Sequence, residues 1–213
     1  MRSILLAASI LAGFGMAAAP ALAQSPGGKK AGDIMVRARL IGVMPLDSSS
    51  STSIGGRVET AAAVTPELDF SYFITDNVAL ELIAATSRHT IKAKGTALGD
   101  VSVGSTWVLP PTLTVQYHFM PKAAFSPYVG AGLNYTMFYG AKPAAGLGSL
   151  KLSYNVGYAL QAGVDYALTE RVYLNVDVKQ IFLHTDAKVN GGAVRARTNL
   201  NPLVVGVGVG YKF

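Results

Sequence analysis

The sequence predicts an all-β fold, an eight-stranded antiparallel transmembrane β-barrel of up-and-down topology. Two observations support this prediction. Segments of about ten residues alternate between apolar and polar positions, as strands of outer-membrane barrels do. The 213-residue chain is also 50% hydrophobic, yet its body contains no continuous apolar stretch that could cross a membrane as a helix. The apolar residues are therefore distributed over many short strands.

The first 23 residues have the features of a secretory signal peptide. A basic start is followed by an apolar core from Ile4 to Ala19 and by small residues that end in a cleavage site after Ala23. A short membrane anchor is the alternative. Residues 24–32 are rich in glycine and lysine, so we expect a flexible segment on the periplasmic side. The barrel is expected to span residues 33–213.

Eight segments of period two follow in order along the chain. Each places its large apolar side chains on one face, which is the pattern of a strand with one apolar and one polar environment. They are "IMVRARLIGVM" (34–44), "ELDFSYFI" (67–74), "VALELIAA" (78–85), "PTLTVQYHF" (111–119), "YVGAGLNYTM" (128–137), "YALQAGVDY" (158–166), "VYLNVDVK" (172–179) and "LVVGVGVGYKF" (203–213).

Alternation alone leaves the direction of the apolar face open, because soluble barrels of the lipocalin type alternate too. Full charges in mid-strand argue against a dry soluble core. Aromatic residues at strand ends, and connections that alternate between short and long, are typical of outer-membrane barrels with short periplasmic turns and long extracellular loops. We therefore expect a bacterial outer-membrane protein with both termini in the periplasm. The long connections span residues 46–63, 87–105, 139–153 and 183–200.

The last strand combines large residues on one face with glycines on the other. We expect the large face to meet lipid, and Gly206, Gly208 and Gly210 to leave space in the lumen for side chains across the barrel. The terminal Phe213, preceded by Tyr211, resembles the signal that the outer-membrane assembly machinery reads. That machinery is therefore an expected partner.

Charged residues on the inward face are predicted to plug the periplasmic half of the lumen. An eight-stranded barrel has room for side chains but not for a wide water channel, so a nearly balanced set of charges should pair and close it. The predicted plug consists of Arg37, Arg39, Asp69, Glu81, Asp165, Asp177 and Lys179.

Inward positions nearer the long connections are apolar and predict a pocket for an apolar ligand. The alternative is that they only pack the top of the barrel. Pro66, Pro110, Pro111 and Pro202 each lack an N–H for the ladder, so the wall near them is our candidate for a lateral exit, although prolines also start strands. The predicted pocket consists of Ile41, Val43, Ile83, Phe138, Ile181, Leu183, Leu200, Val204 and, as a girdle or gating residue at the rim, Trp107.

Other functions receive less support from the sequence. The chain has no cysteine, and no nucleophile motif surrounds its three histidines. A lipid-modifying enzyme that uses Ser87, His89 and His184 is the catalytic alternative, but we expect no enzyme and no cofactor or metal site. Basic residues in the long connections should meet membrane lipid and the phosphates of lipopolysaccharide. Nucleic acid is not an expected partner.

Three stretches resemble the OmpW family of small outer-membrane proteins: "TWVLPPTLTVQYHF" (106–119), "SPYVGAGLNYTMFY" (126–139) and "NPLVVGVGVGYKF" (201–213). The resemblance runs in order from about Asp33 to Phe213. It implies an eight-stranded barrel with a narrow hydrophobic channel for small hydrophobic molecules, in a group that includes alkane-uptake proteins. We therefore expect passive uptake of such molecules with lateral exit. A structural or adhesion barrel with a packed lumen is the alternative.

Overall fold

A computed structural model of the chain describes residues 28–46, 50–52, 55–97, 99–192 and 194–213. The predicted signal peptide lies outside the described residues. The described part is built of β-strands, with one 3₁₀ turn at Asn190–Gly192. Within these residues, no helix is long and apolar enough to cross a membrane.

The described residues contain fifteen strands, numbered along the chain. They are β1 (Ile34–Met44), β2 (Ser50–Thr52), β3 (Arg57–Thr60), β4 (Ala63–Phe73), β5 (Val78–Ala85), β6 (Ser87–Thr96), β7 (Gly99–Leu109), β8 (Thr112–His118), β9 (Phe125–Pro143), β10 (Leu150–Leu152), β11 (Asn155–Ala167), β12 (Val172–Phe182), β13 (His184–Val189), β14 (Val194–Asn199) and β15 (Leu203–Lys212).

Eight of these strands close into the predicted barrel. The order around the wall is β1, β4, β5, β8, β9, β11, β12 and β15, with each strand antiparallel to the next. The last strand returns to the first, with Arg37 opposite Gly210 and Arg39 opposite Gly208. The all-β, eight-stranded up-and-down fold is therefore confirmed.

The four long connections are more regular than expected, because they contain most of the remaining strands. β6 and β7 form a hairpin that pairs with β3 on one side and with the far end of β9 on the other. A second sheet has the order β10, β13, β14 and β2. Long irregular loops would leave many backbone groups without partners, whereas strand pairing satisfies them and extends the wall. We call this end the long-connection end and the opposite one the short-turn end.

The two faces of the wall have opposite chemistry. Outward-facing Leu40, Leu133 and Val207 are 57%, 65% and 52% exposed, whereas inward-facing Arg37 and Glu81 are fully buried. A soluble barrel would show the reverse arrangement, so the lipocalin-type alternative is excluded. Aromatic pairs lie on the outer face near both ends of the strands, Tyr158 against Phe182 and Tyr211 against Phe213, with ring centroids 4.6 and 4.8 Å apart.

The last strand, β15, closes the barrel, and we call it the closing strand. It has glycines at the positions that pair with the inward-facing Arg37 and Arg39 of β1. A Cβ at Gly208 would overlap the carbonyl oxygen of Ala38 and lie 2.6 Å from the Arg39 Cα atom. Those are backbone atoms of the paired strand, so they cannot move without disturbing the ladder. The glycine is therefore required by the close approach of β1.

We expect Gly208→Ala to lower the free energy of unfolding by about 1–3 kcal/mol, the usual cost of overpacking. Unfolding in urea from lipid vesicles, followed by heat-modifiable gel migration, measures this change. Gly42→Ala is the matched control, because the nearest heavy atom to its Cβ would be 4.0 Å away. Equal stability of the two variants would contradict the steric argument.

Candidate functional site

The lumen has two regions of different chemistry along its axis. Toward the short-turn end it is filled by charged side chains, which we call the ionic layer. Toward the long-connection end it contains an apolar cavity, which we call the upper cavity. The ionic layer consists of Lys29, Arg37, Arg39, Glu67, Asp69, Glu81, Asp165, Asp177 and Lys179, all at most 4% exposed.

Two arginines from β1 form the centre of the ionic layer. The Arg37 Nη1 lies 3.0 Å from an Asp69 oxygen, and its Nη2 lies 2.8 Å from Asp165. The Arg39 Nη2 lies 2.7 Å from the other Asp69 oxygen, and its Nε lies 3.0 Å from Glu67. Asp69 therefore joins both guanidinium groups, and each arginine also contacts a second carboxylate.

The upper part of the ionic layer is completed by residues from β12. The Lys179 Nζ donates to both oxygens of Glu67 at 3.2 and 3.3 Å. Asp177 accepts hydrogen bonds from the Tyr128 hydroxyl at 2.9 Å and from the Gln161 amide at 2.8 Å. Each buried charge thus has polar partners, which a charge removed from water requires.

One cation of the ionic layer was not predicted from the sequence. Lys29 precedes the first strand, yet its side chain is fully buried and its Nζ lies 2.7 Å from Asp165. It also donates to Ser126 at 3.0 Å and contacts the His118 Nδ1 at 3.1 Å. The sequence contained one indication of this cation. The predicted inward carboxylates outnumber the predicted inward cations, so another positive charge is needed to balance them.

The segment around Lys29 is held against the short turns. The Lys29 N–H donates to the Pro121 carbonyl at 2.8 Å, and the Gly32 N–H donates to the Phe73 carbonyl at 2.8 Å. The Lys212 Nζ donates to the Gly28 carbonyl at 2.7 Å. Residues 28–32, which we expected to be flexible, therefore make a strap across the short-turn end. Residues 24–27 of that segment lie outside the described part.

Hydrogen-bond chemistry decides the protonation of His118 beneath this strap. The Lys29 ammonium group can only donate, so the Nδ1 of His118 must accept. The proton then lies on Nε2, which faces the Gln116 Oε1 at 3.2 Å. His118 is therefore a neutral link in the network and not a second cation beside Lys29.

The upper cavity has a volume of about 270 Å³. This is close to the lower end of the range for small-molecule sites, about 300–1,000 Å³. Its floor includes Glu67 and Lys179, so the cavity begins where the ionic layer ends. Eight of the nine predicted pocket residues line it, namely Ile41, Val43, Ile83, Phe138, Ile181, Leu183, Leu200 and Val204.

Trp107 does not line the cavity, so its inclusion among the pocket residues is corrected to the other role expected of it, that of a girdle residue. The neighbouring Thr106 and Val108 face the cavity, and strand alternation turns Trp107 to the outer face. There it is 39% exposed and stacks on Tyr139 with a centroid distance of 6.2 Å. It belongs with the aromatic residues of the outer surface.

Ser87 and His89 form a hydrogen-bonded pair in the wall of the cavity. The Ser87 Oγ lies 2.8 Å from the His89 Nε2, and the His89 Nδ1 lies 3.1 Å from the carbonyl oxygen of Ala61. Burial lowers the pKa of His89, and the bond to Ala61 opposes this only in part. The imidazole is therefore neutral at physiological pH. His184 lies apart in β13, opposite Asn199.

The ladder of the wall is interrupted beside two prolines. Between β5 and β8 the pairing ends at Ile83 and Thr112, and between β6 and β7 it resumes in the same register at Ser87 and Val108. The interval contains Pro110 and Pro111, which have no N–H to donate. By contrast, Pro66 pairs with Leu40 within an intact ladder, and the Pro202 carbonyl accepts from the Ile181 N–H at 3.1 Å.

Comparison with known proteins agrees with this geometry. The model of the OmpW family matches residues 30–213. An uncharacterized outer-membrane protein, y4mB of Sinorhizobium fredii, is 44% identical over 84% of this chain and 79% of its own. Outer membrane protein W of Vibrio cholerae is 38% identical over 93% of this chain and 97% of its own.

The fold is also similar to that of a solved outer-membrane protein. The crystal structure of OprG from Pseudomonas aeruginosa superimposes with a TM-score of 0.81 at 33% identity. The match covers 87% of this chain and 98% of the OprG chain. The similarity therefore extends over most of this chain and nearly all of the OprG chain.

We expect Lys29→Met to lower the free energy of unfolding by about 1–3 kcal/mol, because it removes charged hydrogen bonds to buried Asp165 and Ser126. The methionine keeps the length of the side chain. Urea unfolding from lipid vesicles measures the loss. Lys30→Met is the control, since Lys30 is exposed and its removal should change stability little. Equal effects of both variants would show that Lys29 does not hold the strap.

Proposed function

The chain belongs to the OmpW family of outer-membrane proteins, and on this premise we propose that it mediates passive uptake of small hydrophobic molecules across the outer membrane. The observation that carries the proposal is the position of an apolar cavity directly above a closed ionic layer. A hydrophobic solute gains free energy by leaving water for the cavity, whereas the ionic layer offers it no favourable environment. The solute thus binds in the cavity, and the ionic layer stops it from moving further along the lumen.

We propose that the long-connection end of the barrel lies outside the cell and that both termini lie in the periplasm. This orientation follows the usual arrangement of outer-membrane barrels, in which short turns face the periplasm. It places the upper cavity where an external solute arrives. Basic groups of the long connections, such as Lys92 and Lys142, then lie on the side of the lipopolysaccharide phosphates.

A solute stopped by the ionic layer needs a sideways route into the bilayer. The interrupted ladder beside Pro110 and Pro111 supplies the best candidate, because Pro110 also lines the upper cavity. Opening the wall there would break fewer backbone hydrogen bonds than at any intact ladder. We therefore place the lateral exit between residues 84–86 and 109–111.

The ionic layer acts in this proposal as the barrier to ions and water. In the described lumen four cations meet five carboxylates, and their mutual pairing leaves little reason for a hydrated ion to displace them. The alternative of a structural or adhesion barrel requires a lumen filled along its length. The unfilled volume above Glu67 and Lys179 favours uptake over that alternative.

We propose no catalytic role for the Ser87–His89 pair. In hydrolases that use serine and histidine, a carboxylate usually holds the histidine and stabilises its charged form. Here that position is occupied by a peptide carbonyl. The assembly role of Tyr211 and Phe213 stays a prediction of the sequence, consistent with their exposure at the end of the closing strand.

Narrowing the cavity should reduce uptake. Val204→Trp places an indole in the upper cavity, and we expect the rate of uptake of an apolar solute such as n-octane into proteoliposomes to fall by about tenfold, since closing the site removes a favourable transfer free energy of more than one kcal/mol. Val207→Trp is the matched control, because this residue faces lipid on the same strand.

Two outcomes would count against uptake. If protein-free and protein-containing vesicles take up the solute at the same rate, the barrel is not a conduit for it. If Val204→Trp and Val207→Trp behave alike, the solute does not pass through the upper cavity. In both cases correct folding is checked by heat-modifiable migration.

Locking the interrupted ladder should block the lateral exit. The chain has no cysteine, so Ala85→Cys with Pro110→Cys introduces a single possible disulfide across the gap. We expect uptake to fall when this pair is oxidised and to recover when a reductant is added. Leu80→Cys with Val115→Cys, a pair within an intact part of the ladder, is the control. Uptake that is indifferent to the redox state of the first pair would place the exit elsewhere.

A further inference from the structure

The hydroxyl groups of the upper cavity share one property. Each of six serine and threonine side chains in the lining directs its only proton at an acceptor of the protein, so that its lone pairs alone remain for a ligand. The acceptors are the Thr86 carbonyl for Thr65 at 2.6 Å, the Pro110 carbonyl for Thr112 at 3.0 Å, the Asn134 Oδ1 for Thr136 at 2.6 Å, the Trp107 or Tyr139 carbonyl for Thr106 at 3.2 or 3.3 Å, and the Ser153 carbonyl for Thr185 at 3.3 Å.

The sixth hydroxyl, that of Ser87, is committed by the tautomer of His89. The Ala61 carbonyl can only accept, so the His89 Nδ1 must carry the ring proton. The Nε2 of the neutral ring is then an acceptor, and the Ser87 hydroxyl at 2.8 Å donates to it. The Ser87 oxygen is left with lone pairs that face the cavity.

The remaining polar groups of the lining fit the same pattern. The ammonium group of Lys179, the strongest donor there, directs its protons at the two oxygens of Glu67 and lies 3.8 Å from Asp177. Among the described lining hydroxyls, Thr60 is the exception, because no acceptor for its proton is described. The cavity therefore offers many acceptors and almost no donors.

From this we propose that the upper cavity binds apolar molecules that carry one hydrogen-bond donor, such as alcohols and phenols, and that the Ser87–His89 pair is the acceptor that selects them. The inference rests on the proposed function and names its substrate class. A bound alcohol donates to the Ser87 oxygen and keeps its hydrocarbon part against the apolar wall. A ketone or ester of the same size can only accept a hydrogen bond, and the lining offers it almost no donor. It therefore loses its hydrogen bond with water and gains none in the cavity.

The test compares three six-membered-ring probes of similar size: cyclohexanol, cyclohexanone and methylcyclohexane. Their dissociation constants are measured on the full chain in lipid nanodiscs, from the ring signals of ¹³C-labelled histidine, and protein-free nanodiscs correct for partition into lipid. We expect wild type to bind cyclohexanol about five- to tenfold more tightly than cyclohexanone, the effect of one neutral hydrogen bond.

The two variants of the Ser87–His89 pair should affect this ratio differently. His89→Phe frees the Ser87 proton, so cyclohexanone binding should strengthen and the ratio approach one. Ser87→Ala exposes the His89 Nε2, another acceptor, so the preference for cyclohexanol should persist. Thr60→Val removes the uncommitted donor and should raise the ratio further. Arg88→Gln is the control with an unchanged ratio, because this side chain lies on the outer face of the same strand. Binding to His89→Phe is followed through displacement of deuterated probe by ²H NMR.

The outcomes separate this inference from the proposed function. Equal affinity of wild type for cyclohexanol and cyclohexanone, or an unchanged ratio in His89→Phe, overturns donor selection while methylcyclohexane binding still supports uptake. Absence of binding by all three probes overturns the proposed function itself. A ratio that shifts in the same direction for Ser87→Ala and His89→Phe would indicate a packing effect and also overturns the inference.

Discussion

The structure depends on one constraint, the closure of the backbone ladder between the first and the last strand. In the hydrocarbon core no water is present to satisfy an exposed N–H or C=O group, so a sheet must close on itself. The pairing of β1 with β15 achieves this, and it puts Arg39 opposite Gly208. The glycines of the closing strand are a consequence, because a Cβ there would meet atoms of β1, as at Gly208, where it would lie 2.6 Å from the Arg39 Cα atom.

Closure with eight strands also determines what the lumen contains. The interior is just wide enough for side chains, so polar groups that turn inward lose water and must find partners across the barrel. This explains why Asp69 joins both arginines and why Lys29 is drawn in from outside the strands. The ionic layer therefore fills the short-turn half of the lumen with paired side chains of the described residues.

The proposed function is located where this pairing ends. Above Glu67 and Lys179 the inward side chains become mainly apolar, with hydroxyl groups among them, and the wall is extended by strands of the long connections. The same region contains the prolines that interrupt the ladder and the polar pair of Ser87 and His89. The cavity, the interrupted part of the ladder and the acceptor groups thus lie together at one end of the barrel, as the proposed binding and sideways release require.

The sequence by itself determined the barrel, the number of strands that close it and the face on which most residues of those strands lie, because a period of two leaves only two faces and the charged one cannot meet lipid. It also determined that Ile41 or Val204 would lie inward. Only the tertiary structure decided which side chains meet, since contacts such as Lys29 with Asp165 join residues 136 positions apart. It also decided between the girdle and the gating role of Trp107 and formed strands in the long connections, because the hairpin pairing depends on neighbours that no local pattern reveals.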